Sequence, residues 1–592
     1  VAKYVVAPGH LLRHHDYSVR GYSGDVVADS DSAVRAQTDT GLDLALIDTQ
    51  RPVTPRPVGD DPGSDSLFGG SPFGSLGASS WSDLAPSVDT RFVYVSSSDG
   101  NDSDDGLTEV SAKATIAAGY ALLRDGYPDW LLLKKGDTWV EVLGTSWRKS
   151  GRSALERMVV SSYGTGARPK LHTGTNTCLG CNPADFPTTY GFLAFTEMEF
   201  FAHTYTGGAE NPYGIGWLGS THDVLFEDLY VHGYMTDINL QGFHDGSPDG
   251  TVRHSSLAVR RCVVADAYNT GDENSQGLYA HAVDGLLIEQ SLFDRCGWNT
   301  NVPGSDPTMF RKTVYVQNGC TSVVFQDNIC AGTDGPQIRC AGIVRRNIVT
   351  RCGGGITVGY GDTPELGGVI ATVTDNVVSE GRQSSPSLTV VFGIRATNLK
   401  AGSEIRRNLC CNSIDMGDAR SLWFQPVTDR MCAVDTAITD NIFHNAGFVS
   451  LEGADTLYSG ITWTTNVLQS PPNGANEGVM IVGNAGTPSR FVLSASNYWY
   501  EQTITEPNWF LVAGVSKSVS QWNALVNDST SVAGPITYPA PTRTVGTYNV
   551  TLGGANDHDA FMDAARGQSR DTWKDVYTAA ALAAFIRGGF GL

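Results

Sequence analysis

The chain reads as an all-β solenoid of stacked rungs, and three features of its 592 residues carry that reading. One short phrase recurs: an apolar residue, two or three polar ones, an Asn, then apolar residues again. It stands around Asn328 (VVFQDNIC), Asn347 (IVRRNIV), Asn376 (ATVTDNVV), Asn408 (EIRRNLC), Asn441 (AITDNIF), Asn466 (ITWTTNV) and Asn497 (LSASNYW). Each copy predicts a short strand ending in a turn, repeated as stacked architectures repeat. Extended backward by pattern, the ladder position falls on Leu229, Cys262 and Ser291, which makes the steps 33, 29, 37, 19, 29, 32, 33, 25 and 31 residues. A bare coil of three short strands needs roughly 20 residues or slightly more, so most turns carry insertions. Helical periodicity is confined to the two ends of the chain.

The elements follow in order. Residues 1–50 hold short apolar runs (YVVAPG, DVVA), a helix capped near Asp29 or Ser30, and LDLALI, which predict a small independent module. Residues 51–88 turn to Pro, Gly, Ser and Asp and lack the large apolar residues a core requires, so they read as a linker. Residues 89–156 (FVYVSSSDG, a helix over TIAAGYALL, DWLLLKKGDTW) read as an N-terminal cap and the first rungs. A helix there would cover the open end of a stack. Rungs run over 157–550. Residues 551–592 are helical, with Trp573, Val576, Tyr577, Ala580, Ala584 and Phe585 on one stripe, and are expected to cap the far end or to pack between subunits.

Composition sets outer limits. With 41% apolar and 17% charged residues the chain can bury a long core, and no apolar run reaches the length of a membrane span. The N-terminal VAKYVVAPGHLLRHH lacks the apolar core of a secretory signal. A net charge of −21 repels phosphate backbones and anionic membranes, so neither nucleic acid nor membrane is an expected partner. Eleven cysteines, several in apolar positions of the repeat such as Cys330 and Cys410, are expected to be buried and reduced. Cys178 and Cys181 form a lone CxxC without a second pair at zinc spacing, so no metal and no cofactor is expected. Asp99, Asn101, Ser103 and Asp105 alternate like a cation loop, but no bidentate Glu follows at the right distance.

The opening YVSSSDGNDSDDG…TIAAGYALL…LLLKKGDTW, the Asn-punctuated rungs and the closing FIRGGF resemble right-handed parallel β-helix proteins of the pectate-lyase-like superfamily over residues 89–592. The small N-terminal module with its linker further resembles bacteriophage tailspikes and related virion spikes. That resemblance implies a homotrimer assembled in the host cytoplasm and carried on the virion. Residues 1–50 would attach to tail or capsid proteins, and the rungs would bind and depolymerise a polysaccharide at the bacterial surface. Two other readings stand beside it: a non-catalytic capsid or tail decoration protein, and a free bacterial polysaccharide lyase or glycosidase.

The ladder asparagines are expected to turn inward and bond one another, which leaves chemistry to outward residues. Before each ladder position lies a strand of alternating character: DINLQ, GLYAH, TVYVQ, GPQIR, GITVG. Strand alternation places Asp237, Asn239 and Gln241, then Tyr279 and His281, Tyr315 and Gln317, and Gln337 and Arg339 on one outward column. Asn239, Gln241, Tyr279, Gln317 and Gln337 are candidate sugar-binding residues, through ring faces and amides. Long insertions at 242–256, 267–277 and 297–312 would wall a groove. For an elimination, Arg339 or Lys312 would neutralise a uronate carboxylate and Tyr315 or His281 would move the proton. For a hydrolysis, the acid and base would come from Asp237, Asp272, Glu273, Asp294 and Asp334.

Overall fold

The computed structural model describes residues 81–592 apart from 182–187, 209, 243–251, 272–273, 360–367, 385–389, 416, 428–429, 471–477 and 502–504. The expected N-terminal module and nearly all of the expected linker lie outside the described residues. The rest forms a parallel β-helix. A first sheet of 14 strands runs from Phe92–Val95 to Phe491–Ala495, a second of 14 from Thr138–Trp139 to Val532–Ala533, and a third of 13 starts at Leu179–Cys181. Except for the last pair of the third sheet, successive strands within each sheet pair in parallel, for example Leu225 with Ala258 and Ala258 with Leu287, so each turn of chain adds one strand to each sheet.

The recurring Asn is the inner corner between the first and second sheets. The residue before it takes a left-handed backbone, as at Asp327 (φ 57°), Arg346 (φ 55°), Asp375 (φ 60°), Arg407 (φ 54°) and Asp440 (φ 58°). That one residue turns the chain sharply enough for the Asn side chain to point into the stack. Its Oδ1 accepts the backbone N–H of the preceding rung, from Asn328 onto Asn347 (3.0 Å) through Asn466 onto Asn497 (3.0 Å). The series extends backward as expected, with Cys262 N–H donating to Ser291 Oγ and Ser291 N–H to Asn328, and it also extends forward, where Asn497 N–H donates to Ser531 Oγ. The left-handed residues form a second ladder outside the first, with Arg346 on Asp327 (2.7 Å) and Arg407 on Asp375 (2.6 Å).

The stack is closed at each end by a helix. At the start, helix Ile116–Leu122, capped by Thr115, lies on Val93, Val95 and Leu131. It approaches so closely that a Cβ on Gly119 would stand 2.5 Å from a Val95 methyl. At the far end the third sheet reverses: Phe510–Val512 pairs antiparallel with Val515–Lys517 through Ala513 and Gly514, both at positive φ. An antiparallel strand offers no template for another parallel rung. Helix Val519–Leu525, held by a Ser518/Gln521 capping box, then seats Trp522 on Phe510, ring centroids 4.9 Å apart.

The far-end cap is therefore not the C-terminal helical segment, whose expected position needs correction. Helices Val545–Thr551, His558–Arg566 and Ala579–Gly588 lie along the outer face of the second sheet. Val263, Leu292, Ile329, Ile348, Val377, Leu409 and Ile442 form one register column there. Val545, Phe561, Met562, Leu582 and Ile586 cover that column. Ion pairs fasten the helices: Arg566 bridges Asp266 (2.6 Å) and Asp294 (2.5 Å), and Arg351 meets Asp559 (3.5 Å). The described chain begins on the outer face of the first sheet, where Trp81 packs under Arg261 and Ser82 binds Glu227 and Arg260. Ten of the eleven cysteines are buried, as expected, and Cys340 is half-buried.

Candidate functional site on the third sheet

With the second sheet covered by helices, the third sheet carries a long run of polar and aromatic residues that point away from the core, all of them buried or half-buried. Its corner geometry departs from simple alternation. In each rung two consecutive residues face inward, which leaves three outward rows. The first row reads Tyr213, Thr236, Gln276, Lys312, Asp334, Gly354, Phe392, Arg420, Phe448. The middle row reads Asn239, Tyr279, Tyr315, Gln337, Thr357, Arg395, Trp423, Ser450. The third holds Gln241 and His281 in register, continued by Gln317 and Arg339, whose N–H groups reach Ala280 O and Val316 O. Across nine rungs the face is about 38 Å long at ~4.8 Å per rung.

The middle of this face is interlocked. Tyr279 meets Tyr315 edge to face, centroids 5.4 Å apart. The Arg339 guanidinium lies 4.9 Å from the Tyr315 ring centroid and donates to Gln317 Oε1 (3.1 Å). Burial pushes the Tyr279 phenol up, against a Gln317 hydrogen bond and the Arg339 charge. Gln241 donates to Asn239 (2.8 Å), so both substrate-binding candidates on that rung are oriented. His281 faces Gly319 across the next turn, where a Cβ would meet its Nε2 at 3.2 Å. Gln337 is buried in the middle row. The 297–312 insertion is pinned by Arg311, whose buried guanidinium donates to Gly297 O (3.1 Å), Asp306 O and Gly271 O. Phe310 in that insertion is 55% exposed, and its carbonyl accepts from Gln276 Nε2 (3.2 Å) in the first row.

Several candidates are not where strand alternation put them. Asp237 occupies the inward corner position, where other rungs carry Gly277, Thr313 or Ser421, and is fully buried. Its Oδ1 accepts Tyr234 N–H (3.3 Å), and burial drives its carboxyl well above the usual range. Asp294 ends a strand of the second sheet, where Arg566 and Arg295 hold it under the C-terminal helix. Lys312 and Asp334 are on the column but spend their charges on each other. Asp272 and Glu273 lie outside the described residues, as do parts of the 242–256 and 267–277 insertions.

The same face continues where the sequence reading stopped. Arg395 lies over Phe392 (5.1 Å) and Trp423 (5.6 Å), and Arg420 lies over Trp423 (4.2 Å) while paired with Glu452 and Asp418. Extending the alternation through VFGIRA and ARSLWF finds Arg395 and Trp423, because Ile394 and Leu422 are the inward members, but it misses Phe392 and Arg420, which precede the pair of consecutive inward residues. At the opposite end, the acidic loop 99–106 is organised by Lys113, whose ammonium binds Asp102 O (2.8 Å) and Asp104 O. The Asp102 carboxylate is spent on Ala114 and Thr115, and that of Asp105 on Leu107 and Ser111. Among the described residues, no three His, Cys, Asp or Glu side chains converge as metal ligands. None of the described helices is long and apolar enough to cross a membrane.

No protein-family model matches the chain, and no curated protein matches it in sequence. Among solved structures, a mannuronic acid specific family 6 polysaccharide lyase from human gut microbiota is 13% identical, with 84% of this chain and 99% of that chain covered and a TM-score of 0.37. A lacto-N-biosidase from Eubacterium ramulus is 14% identical over 75% of this chain and 68% of that one, with a TM-score of 0.33. PfbA, a surface adhesin of Streptococcus pneumoniae, is 9% identical over 66% of this chain and 86% of that one, with a TM-score of 0.31. Likeness at this level follows the chain path only, and these three proteins differ in what they do. The parallel β-helix assignment rests on the strand register described above.

Proposed function

We propose that the protein holds an acidic polysaccharide along the outward face of the third sheet and cleaves it there by elimination. The observation that carries the reading is Arg339 stacked on Tyr315, with Tyr279 edge-on one rung earlier. A uronate carboxylate set against Arg339 would have its charge neutralised, which acidifies the adjacent ring C–H. Tyr315, or His281 one rung earlier, takes that proton; the C–H electrons form the new C=C bond and the C–O bond to the leaving sugar breaks. The released oxygen keeps that bond's electron pair and receives a proton from the other group of the pair. Lys312 is tied to Asp334 and is assigned to support. Hydrolysis has weaker support, because Asp237 points inward, Asp294 sits on another sheet and Asp334 is ion-paired.

Binding without cleavage is the second reading. It is favoured by the mutual locking of Tyr279, Gln317 and Arg339, which suits a fixed recognition surface. As a biological setting we propose a virion spike, homotrimeric, attached through residues 1–50 to tail or capsid proteins and acting on the host cell surface. Its support is the order of the sequence: a small module, a Pro/Gly/Ser-rich stretch, then the β-helix. Incubation with a panel of acidic and neutral polysaccharides tests the chemistry. Ultraviolet absorbance of unsaturated uronate is expected, and Arg339→Ala and Tyr315→Phe should each abolish it with the fold intact. New reducing ends without that absorbance, or full activity in both variants, would refute elimination at this site. Mass measurement in solution tests the trimer.

A further inference from the structure

Beyond the third sheet, one cleft of about 600 Å³ opens at the N-terminal end of the stack. It lies between the residues that follow strand Thr138–Trp139 and the turns that leave strands Lys170–His172 and Glu199–Phe201. Val140, Val142 and Ala117 supply apolar surface, and Glu141, His172, Asn176, His203 and Thr204 supply polar groups. The two imidazoles stack, centroids 4.6 Å apart and planes within 22°, and His172 abuts Phe201 edge to face. His203 Nδ1 accepts Gly174 N–H (3.1 Å), so in the neutral ring the proton sits on Nε2 as a donor. Gly174 can aim that N–H because its φ is +66°. Glu141 Oε2 accepts Ile116 N–H (3.2 Å), which fixes the carboxyl at the edge of the cap helix.

We infer that this cleft is a second carbohydrate site, distinct from the third-sheet face and built for an uncharged sugar. No lysine or arginine lines it, unlike the third-sheet face, so nothing there would pair with a uronate carboxylate. What remains is a set of neutral donors and acceptors around ring faces and aliphatic walls, the lining that recognises hydroxyls on a flat apolar ring. Burial agrees with that neutral character: it raises the Glu141 carboxyl and, together with the neighbouring His203, lowers the His172 imidazole.

Saturation-transfer NMR on the full chain tests this, with neutral trisaccharides (maltotriose, cellotriose, mannotriose) and galacturonate trimers as probes. At least one neutral probe should bind. His172→Phe, which keeps the stacked ring, and Thr204→Val should each weaken that binding by about tenfold, the loss of one or two hydrogen bonds. Binding of galacturonate trimers at the third sheet should be unchanged in both variants. No saturation transfer from any neutral probe, or neutral binding untouched by both substitutions, would overturn the inference. Preference of this cleft for the galacturonate trimers would also overturn it.

Discussion

Replacing Asn376 with Ala probes the ladder that sets the rungs. In the native stack Asn376 Oδ1 accepts Asn347 N–H (3.0 Å) and Asn347 Nδ2 (3.0 Å), while its Nδ2 donates to Val344 O (2.9 Å) and Asn408 Oδ1 (2.9 Å). Alanine removes all four bonds in a site without solvent, because Asn347, Asn376 and Asn408 are buried. The Asn347 N–H loses its acceptor, and the Val344 carbonyl loses a donor. At ~1–3 kcal/mol for each buried polar group left unmet, the expected loss is about 2–6 kcal/mol. Serine should recover part of it. Ser291 and Ser531 already hold ladder positions and accept backbone N–H groups there, at 3.1 and 2.8 Å. Unfolding rate constants in guanidinium, compared at fixed denaturant, are the suitable assay for a large chain prone to irreversible unfolding. The order wild type, Asn376→Ser, Asn376→Ala in increasing rate is expected. An alanine variant within ~0.5 kcal/mol of wild type, as expected for a neutral surface change, would refute the view that the ladder carries the stack. So would a serine variant no better than alanine.

Asp237→Ser should stabilise the protein, and more so as pH rises. The folded carboxyl is pushed well above its unfolded value of about 3.9, so folding takes up a proton in the pH range between the two values. Stability from that site is fully present below the unfolded value and is lost as pH rises toward the folded one; a constant gap between variant and wild type from pH 4 to 8 would contradict this. Arg566→Ala should leave Asp294 buried without its main partner and cost ~3–5 kcal/mol, read as lost hydrogen-exchange protection in His558–Arg566. Acidification should partly restore that protection, since protonating Asp294 removes the uncompensated charge; restoration at high pH instead would be inconsistent. Phe310→Ala, in the 297–312 insertion, should weaken polysaccharide binding without altering thermal stability, and equal affinity would remove that insertion from the site.

The repeat was legible because it is local. A left-handed residue, a buried Asn and flanking apolar residues occupy adjacent positions, so the corner can be read in the order of the chain. The outward column was legible in part for the same reason, and Tyr279, Tyr315, Gln317 and Arg339 do come together. The error at Asp237 came from the corner, where two successive residues turn inward; a period of two has no place for that, and only Gly277, Thr313 and Ser421 in register reveal it. The covering of the second sheet also has a local signal. ICA, IVT, VVS and LCC are short strands made chiefly of apolar or small residues, as strands buried on both faces are.

From sequence alone, the chain was bound to build stacked parallel rungs with an inward Asn ladder, since the residues that form each corner are neighbours in the chain and recur from rung to rung. Which face is covered was decided only in three dimensions. Arg566 reaches Asp266 and Asp294 across some 270–300 residues of chain, and the hydrophobic column that the C-terminal helices cover exists only once the rungs have stacked. Burial of that column leaves the polar and aromatic rows to the third sheet, with Arg339 over Tyr315 and the Arg395–Trp423–Arg420 continuation.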